Sequence, residues 1–214
     1  MPRIYFYKLT TDNGGAPCVT PGLLSLAICK PMIRSTAETG DLIFGFAARS
    51  LDRNNRLIYI AEITEKLRDG RYFKDRRFSR RGDCIYEWRR REQGFAWRRG
   101  AQHHGPNDLI HDLGARPYYQ KANVLLSTNF RYFGATGTDQ YKSRYPCVAR
   151  AVEELGRGHR VWRDEELYNE LDALKREAWE SAAVMMAGNS TSRPQQGVCH
   201  RSTSCGEIGS PEDV

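Results

Sequence analysis

The chain has 214 residues, 40% of them hydrophobic and 28% charged, with 33 Lys and Arg against 26 Asp and Glu for a net charge of +7. That length suits one domain with at most an appendage, enough to bury a core, and the charge content argues against wholesale disorder. No window approaches the roughly eighteen consecutive apolar residues of a membrane span, and the N-terminus lacks the basic, apolar and small-residue segments of a secretory signal.

Ile4 to Leu9 is rich in aromatic and branched residues and predicts a strand. Gly14, Gly15 and Pro17 make a loop, and Leu23 to Cys29 predicts a second strand or a short buried segment. Pro31 interrupts, Met32 to Thr39 has the length of about two helical turns, and Gly40-Asp41 turns the chain. Leu42 to Ala47 is an apolar run, Arg53 to Arg56 a polar turn, and Leu57 to Ile63 a return strand with branched residues on both faces. That hairpin predicts a small closed or strongly coiled sheet.

From Arg68 to Arg116 periodicity is poor, which predicts a long loop region with local strands at Cys84–Trp88 and Phe95–Arg98. The basic character sits here: residues 66–99 hold 13 Lys and Arg against 5 Asp and Glu, whereas 1–65 hold 7 against 6 and 100–214 hold 13 against 15. Arg76-Arg77, Arg80-Arg81, Arg89-Arg90-Arg91 and Arg98-Arg99 alternate with Tyr72, Phe73, Phe78, Tyr86, Trp88, Phe95 and Trp97. Guanidinium groups pair with phosphate and aromatic faces stack on bases, so the mixture suits nucleic acid. It equally suits an Arg-rich excursion whose aromatics pack underneath.

Asn123–Ser127 and Asn129–Gly134 predict two further strands. Pro146 can open a helix carrying Val148, Val152 and Leu155 and closed by Gly156. Asp164 can cap a second helix whose stripe is Leu167, Leu171, Leu174, Ala178, Ala182 and Met185, spaced to dock on the sheet. The expected organisation is an α+β domain over 1–162, a docking helix over 163–186 and a mobile tail over 187–214.

The densest polar group is Gln102 to Asp112, which holds three of the five histidines and two aspartates. A His-Asp pair there can act as general base and orienter, or the group can be a structural turn or metal ligands. Its spacing matches no closed zinc motif, and Cys199-His200 with Cys205 falls short of four ligands. Lys30 to Thr36 places two cations and two hydroxyls at a helix start, which suits phosphate or merely caps the helix. Gly40-Asp41 and Gly82-Asp83 start strands through turns, and Asp83 can hold an arginine in place. The six cysteines form no CxxC pair and read as reduced thiols. Phosphate-loop, dinucleotide, zincin and nucleophile-elbow motifs are missing from the sequence.

Several blocks share an order with a known family. Gly15-Ala16-Pro17, Leu26 to Arg34 with Ala37 and Gly40-Asp41, Leu57-Ile58-Tyr59, Glu62 to Glu65, Tyr72 and Arg77-Phe78 form the first part. Gly82 to Tyr86, then His104, Asn107, Leu109, His111 and Asp112, and finally Val124 to Ser127, Phe130, Tyr132 and Gly134 form the second. Over residues 3–160 or so the chain resembles the nucleotide modification associated domain, type two. It departs at the short Arg-rich region before Gly82 and at residues 89–99. The resemblance implies association with systems that modify DNA bases, chiefly in bacteria and phages, without an established reaction. The Gly-Asp turn and strand pair add a weaker similarity to PUA-like barrels such as the EVE and ASCH domains.

The expected function is a nucleic-acid or nucleotide binding domain that recognises a modified base. The expected binding residues are Lys30, Arg34, Asp41, Arg77, Arg81, Asp83, Tyr86, His104, Asn107 and Tyr132. The alternative is an enzyme on a nucleotide or base, with His111 as general base and Asp112 orienting it. A third reading is an accessory protein whose helix at 164–186 contacts a modification enzyme. DNA or a modified nucleotide is the expected partner, in the cytoplasm and away from membranes, and neither metal nor cofactor is implied.

Overall fold

In the computed structural model, which describes residues 2–156, 158–161 and 164–181, the chain is a mixed α+β protein. Its strands are β1 (Ile4–Leu9), β2 (Cys18–Thr20), β3 (Leu23–Leu26), β4 (Leu42–Ala47), β5 (Leu57–Glu62) and β6 (Glu65–Leu67), followed by β7 (Tyr86–Arg89), β8 (Gly94–Trp97), β9 (Val124–Ser127), β10 (Asn129–Tyr132) and β11 (His159–Val161). The helices are α1 (Pro31–Thr36), α2 (Arg71–Lys74), α3 (Leu109–Leu113), α4 (Tyr141–Arg144), α5 (Pro146–Glu154) and α6 (Glu165–Glu180). A five-stranded sheet runs β10-β5-β4-β1-β11, a four-stranded sheet runs β2-β3-β9-β6, and β7-β8 form a separate hairpin.

Strand alternation sets the layers, because successive side chains point to opposite faces. On β1, Tyr5, Tyr7 and Leu9 join Leu24, Leu26, Ile33 and Leu125 between the two sheets. Ile4 and Phe6 point the other way, into a second cluster with Val148, Val152, Leu171 and Leu174 of α5 and α6. On β9, Leu125 faces the first cluster while Val124 and Leu126 face a third, with Tyr72, Phe73, Phe78, Tyr86 and Phe95 beneath the hairpin. Both central layers are therefore covered twice, which is why β4 and β5 read as unbroken apolar runs. β1 pairs with β4 in parallel; every other strand pair is antiparallel.

Several differences from the sequence reading have physical causes. The sheets do not close into a barrel: the chain leaves the first sheet after β5 and returns through β9 and β10, so each sheet keeps two edge strands. β2, β6, β11, α2, α3 and α4 are three to five residues long, too short for a hydrophobic period to register. The apolar stripe of α6 sits in the core, and Asp164 caps the helix by accepting the Glu166 N–H at 2.9 Å. Ala182, Met185, the tail after Ala187, Cys199, His200 and Cys205 lie outside the described residues. Among those described, no helix is long and apolar enough to cross a membrane.

Candidate active site

The site begins where β3 hands over to α1. Ala27 and Ile28 bury under the hairpin, and Cys29 and Lys30 then take left-handed backbone at φ 56° and 41° before Pro31 opens the helix. Such a conformation costs a residue with a Cβ about 1–2 kcal/mol, so outside contacts must hold the pair in place. Arg34, 0% exposed, is among the residues that do so. Its Nε donates to the Cys29 carbonyl at 2.7 Å, Nη1 to the carbonyls of Lys121 at 2.8 Å and Asn123 at 2.6 Å, and Nη2 to that of Asp112 at 2.8 Å. One guanidinium fork thus ties the Cys29 turn to α3 and to the approach to β9.

Asp112 of α3 is the hub. Its Oδ1 accepts the Cys29 N–H at 3.1 Å and lies 3.9 Å from Arg34 Nη2. Its Oδ2 accepts the Tyr86 hydroxyl at 2.8 Å and meets His104 Nδ1 at 2.5 Å. Burial pushes this carboxyl up, but His104, Arg34 and Tyr86 outweigh it and hold the group below the ordinary value of 3.8. An ionised carboxylate only accepts, so the His104 proton sits on Nδ1 and the Nε2 lone pair faces outward. Cys29 Sγ lies 3.2 Å from that Nε2. Cys29 is half-buried, while the imidazole is 4% exposed and itself sits on left-handed backbone at φ 52°. A thiol on a base, and that base on a buried carboxylate, is the arrangement of nucleophilic catalysis. Strained backbone at both the thiol and the imidazole agrees with such a role.

A polar floor surrounds the thiol. Tyr7 and Tyr59 share a hydrogen bond at 3.0 Å, the Lys30 amine lies 4.6 Å from the Tyr7 ring centroid, and Tyr132 donates to Asp12 at 2.8 Å. Burial raises Tyr7 well above its ordinary value, Tyr59 adds to the shift, and Cys29 and Asp12 are close enough to contribute. Gly45 makes room for this: a Cβ there would lie 2.2 Å from Tyr59 Cε1. At Gly15 a Cβ would come within 3.0 Å of His103 Nδ1, so that glycine lets the histidine turn pack down.

The predicted residues divide accordingly. Lys30, Asp112, His104, Tyr86 and Tyr132 come to this site or its floor. His111 does not: neighbours on a one-turn helix cannot face the same way, so Asp112 points inward and His111 is exposed. The imidazole on Asp112 is His104, eight residues earlier. Arg34 is enclosed with its donors on main-chain carbonyls, which leaves it nothing to offer a phosphate. Asp83 pairs with Arg81 at 3.7 Å and accepts Ser25 at 2.5 Å and Tyr72 at 2.6 Å, within a structural network that extends to Thr20 and the Cys18 carbonyl. Burial pushes the Asp83 carboxyl up against the pull of Arg81, Ser25 and Tyr72. Asp41 holds a turn, accepting Arg3 N–H at 2.8 Å and Glu38 N–H at 2.9 Å. Arg77 is exposed and paired with Asp75, and Asn107 is exposed on the turn before α3. Most of the interleaved aromatics do not present faces for stacking: Tyr72, Phe73, Phe78, Tyr86 and Phe95 are core, Lys74 covers Trp88 at 4.3 Å, and Trp97 is half-buried.

Sequence reasoning missed Cys29 and Asp12. The available signal for Cys29 was a cysteine two residues before the proline that opens a helix, with histidine and aspartate downstream. Among the described residues, Cys147, Glu166 and Glu170 form a group that could hold a metal, their ligand atoms within 4.8 Å of one another. It lies between α5 and α6, away from Cys29, and Glu170 already accepts the Val148 N–H at 2.9 Å.

Residues 1–177 match the nucleotide modification associated domain 2. The chain belongs to that family. The match runs past residue 160 and takes in most of α6, beyond the blocks that carry the sequence resemblance. No curated protein and no solved structure matches the chain. Membership ties this nucleotide modification associated domain to nucleotide or DNA modification.

Proposed function

We propose that this domain is an enzyme of nucleotide or DNA-base modification that works by covalent catalysis from Cys29. The observation that carries the reading is the continuous Cys29–His104–Asp112 chain, with separations of 3.2 and 2.5 Å. His104 Nε2 takes the thiol proton as Sγ bonds to an electrophilic carbon of the nucleotide or of a substituent on its base. The leaving group departs with the proton that His104 holds. Water, deprotonated by His104, then breaks the S–C bond and restores the thiol. Asp112 fixes the imidazole tautomer and steadies its charged form. Because the Cys29 amide donates to Asp112 and the Arg34 guanidinium is occupied by carbonyls, other donors must meet any developing oxyanion, and the amine of the adjacent Lys30, over the Tyr7 ring, is the candidate. Reduced thiols require a reducing compartment, which suits the cytoplasm.

The test is to incubate the protein with nucleoside monophosphates and short oligonucleotides carrying substituted bases, then weigh the denatured protein and the products. The reading expects a product and a transient adduct mapped to Cys29, both lost in Cys29→Ala. Product formation that survives Cys29→Ala refutes it. A second reading, a binding module for a modified base, draws support from the basic surface of residues 66–99; it expects preferential binding with no turnover and no adduct. The accessory-protein reading loses its proposed contact face, because the α6 stripe is core.

A further inference from the structure

We infer that the β7–β8 hairpin and the loop after α3 form a docking face for a single-stranded polynucleotide. Arg90 and Arg91 at the hairpin turn and Arg99 at its far end are exposed, and so are Arg76 and Arg80 alongside. None of these five is in an ion pair among the described residues, unlike Arg77 and Arg89. Arg98 Nη1 donates to the Ser79 carbonyl at 2.5 Å, which holds the 76–80 segment against the hairpin. Tyr118, 82% exposed, lies in the loop after α3, which is bonded to the hairpin. Its neighbours fix it there: Arg116 Nη2 donates to the Gln93 carbonyl at 3.2 Å, and the Tyr119 hydroxyl accepts the Phe95 N–H at 3.1 Å.

A large aromatic this exposed beside unpaired guanidiniums is the combination that holds single strands. The cations track phosphates, and the ring stacks on an unpaired base. The interleaved aromatics of the sequence lie beneath the arginines, so the stacking residue comes instead from outside that stretch. The face is also joined to the catalytic chain. Tyr86, which starts β7, donates to Asp112 at 2.8 Å, and Trp97, which ends β8, donates to the His103 carbonyl at 3.5 Å, next to His104. A strand lying on the hairpin therefore runs beside the elements that carry Asp112 and His104. Delivery of a base to Cys29 rests on the reading above; binding to the face does not.

Fluorescence anisotropy of a labelled single-stranded oligonucleotide, titrated at several salt concentrations, tests this. Tyr118→Ala is expected to weaken binding about 5- to 100-fold, the loss of one stacked base. Arg90→Gln with Arg91→Gln is expected to flatten the slope of log affinity against log salt by about 1.4, two phosphate contacts at roughly 0.7 each. The same charge removed by Arg49→Gln with Arg53→Gln is expected to leave that slope unchanged. Equal effects from both arginine pairs, or binding indifferent to Tyr118, overturns the docking face. So does affinity for free nucleotides alone, an outcome that leaves the Cys29 chemistry standing. Adduct formation failing while these binding results hold would instead remove the Cys29 reading.

Discussion

Replacing Arg34 by lysine decides between two roles for a buried cation. Arg34 is fully enclosed and donates to four main-chain carbonyls, those of Cys29, Asp112, Lys121 and Asn123, at 2.6–2.8 Å. Lysine brings three donors on a flexible stem in place of a planar fork, so at least one buried carbonyl loses its partner. An orphaned buried acceptor costs about 1–3 kcal/mol. The smaller head group also leaves poorly filled space, which brings the expected loss to about 2–5 kcal/mol. For a chain of this size each kcal/mol moves the melting temperature by roughly 2–4 °C, so Arg34→Lys should melt about 4–20 °C lower. Thermal unfolding followed by circular dichroism reads this directly, and urea unfolding checks that the loss is in free energy. A phosphate-gripping arginine would behave otherwise, losing ligand affinity at unchanged stability. A melting temperature within 1 °C or so of the wild type would refute the structural role assigned here.

Asp112→Asn should narrow the stability gap to wild type on acidification. The folded carboxyl titrates below 3.8, so its ionised form stabilises the fold fully above that value, and the contribution is lost as pH falls through the lower folded value. Urea midpoints of both proteins from pH 7 to pH 3 test the sign; a gap that stays constant or widens below 3.8 contradicts it. Gly45→Ala should destabilise by about 1–3 kcal/mol, because its Cβ would lie 2.2 Å from Tyr59 Cε1 and 2.8 Å from Leu9 Cδ1 in a packed core. Urea unfolding of that variant at wild-type stability would mean the Tyr59–Tyr7 floor repacks freely.

The long strands and α5 and α6 were legible because apolar runs and helical periods extend over six or more residues. The hairpin at 84–98 was legible too, displaced by one or two residues. What escaped were β2, β6, β11, α2, α3 and α4, each of three to five residues, and the closure of the sheet, which depends on where the chain crosses between layers. The site was half legible. Asp112, His104 and Tyr86 were named, yet adjacency in sequence joined Asp112 to His111, whereas the one-turn helix α3 buries the first side chain and exposes the second. Arg34 looked like an exposed cation at a helix start, and nothing local reveals that four carbonyls from distant segments close around it. Cys29 escaped because its partner histidine is 75 residues away, a contact that only the fold supplies.

The most direct measurement is the rate at which iodoacetamide alkylates each cysteine between pH 6 and pH 9, read by peptide mass spectrometry. Burial pushes the Cys18 and Cys84 thiols up to about 11, so both should react slowly at neutral pH. Cys29, half-buried beside His104, should be alkylated ahead of Cys18 and Cys84; His104→Ala should slow it sharply, and His111→Ala should leave it unchanged. Equal Cys29 rates in wild type and His104→Ala, or a Cys29 no faster than Cys18 and Cys84, would contradict a nucleophile activated by His104.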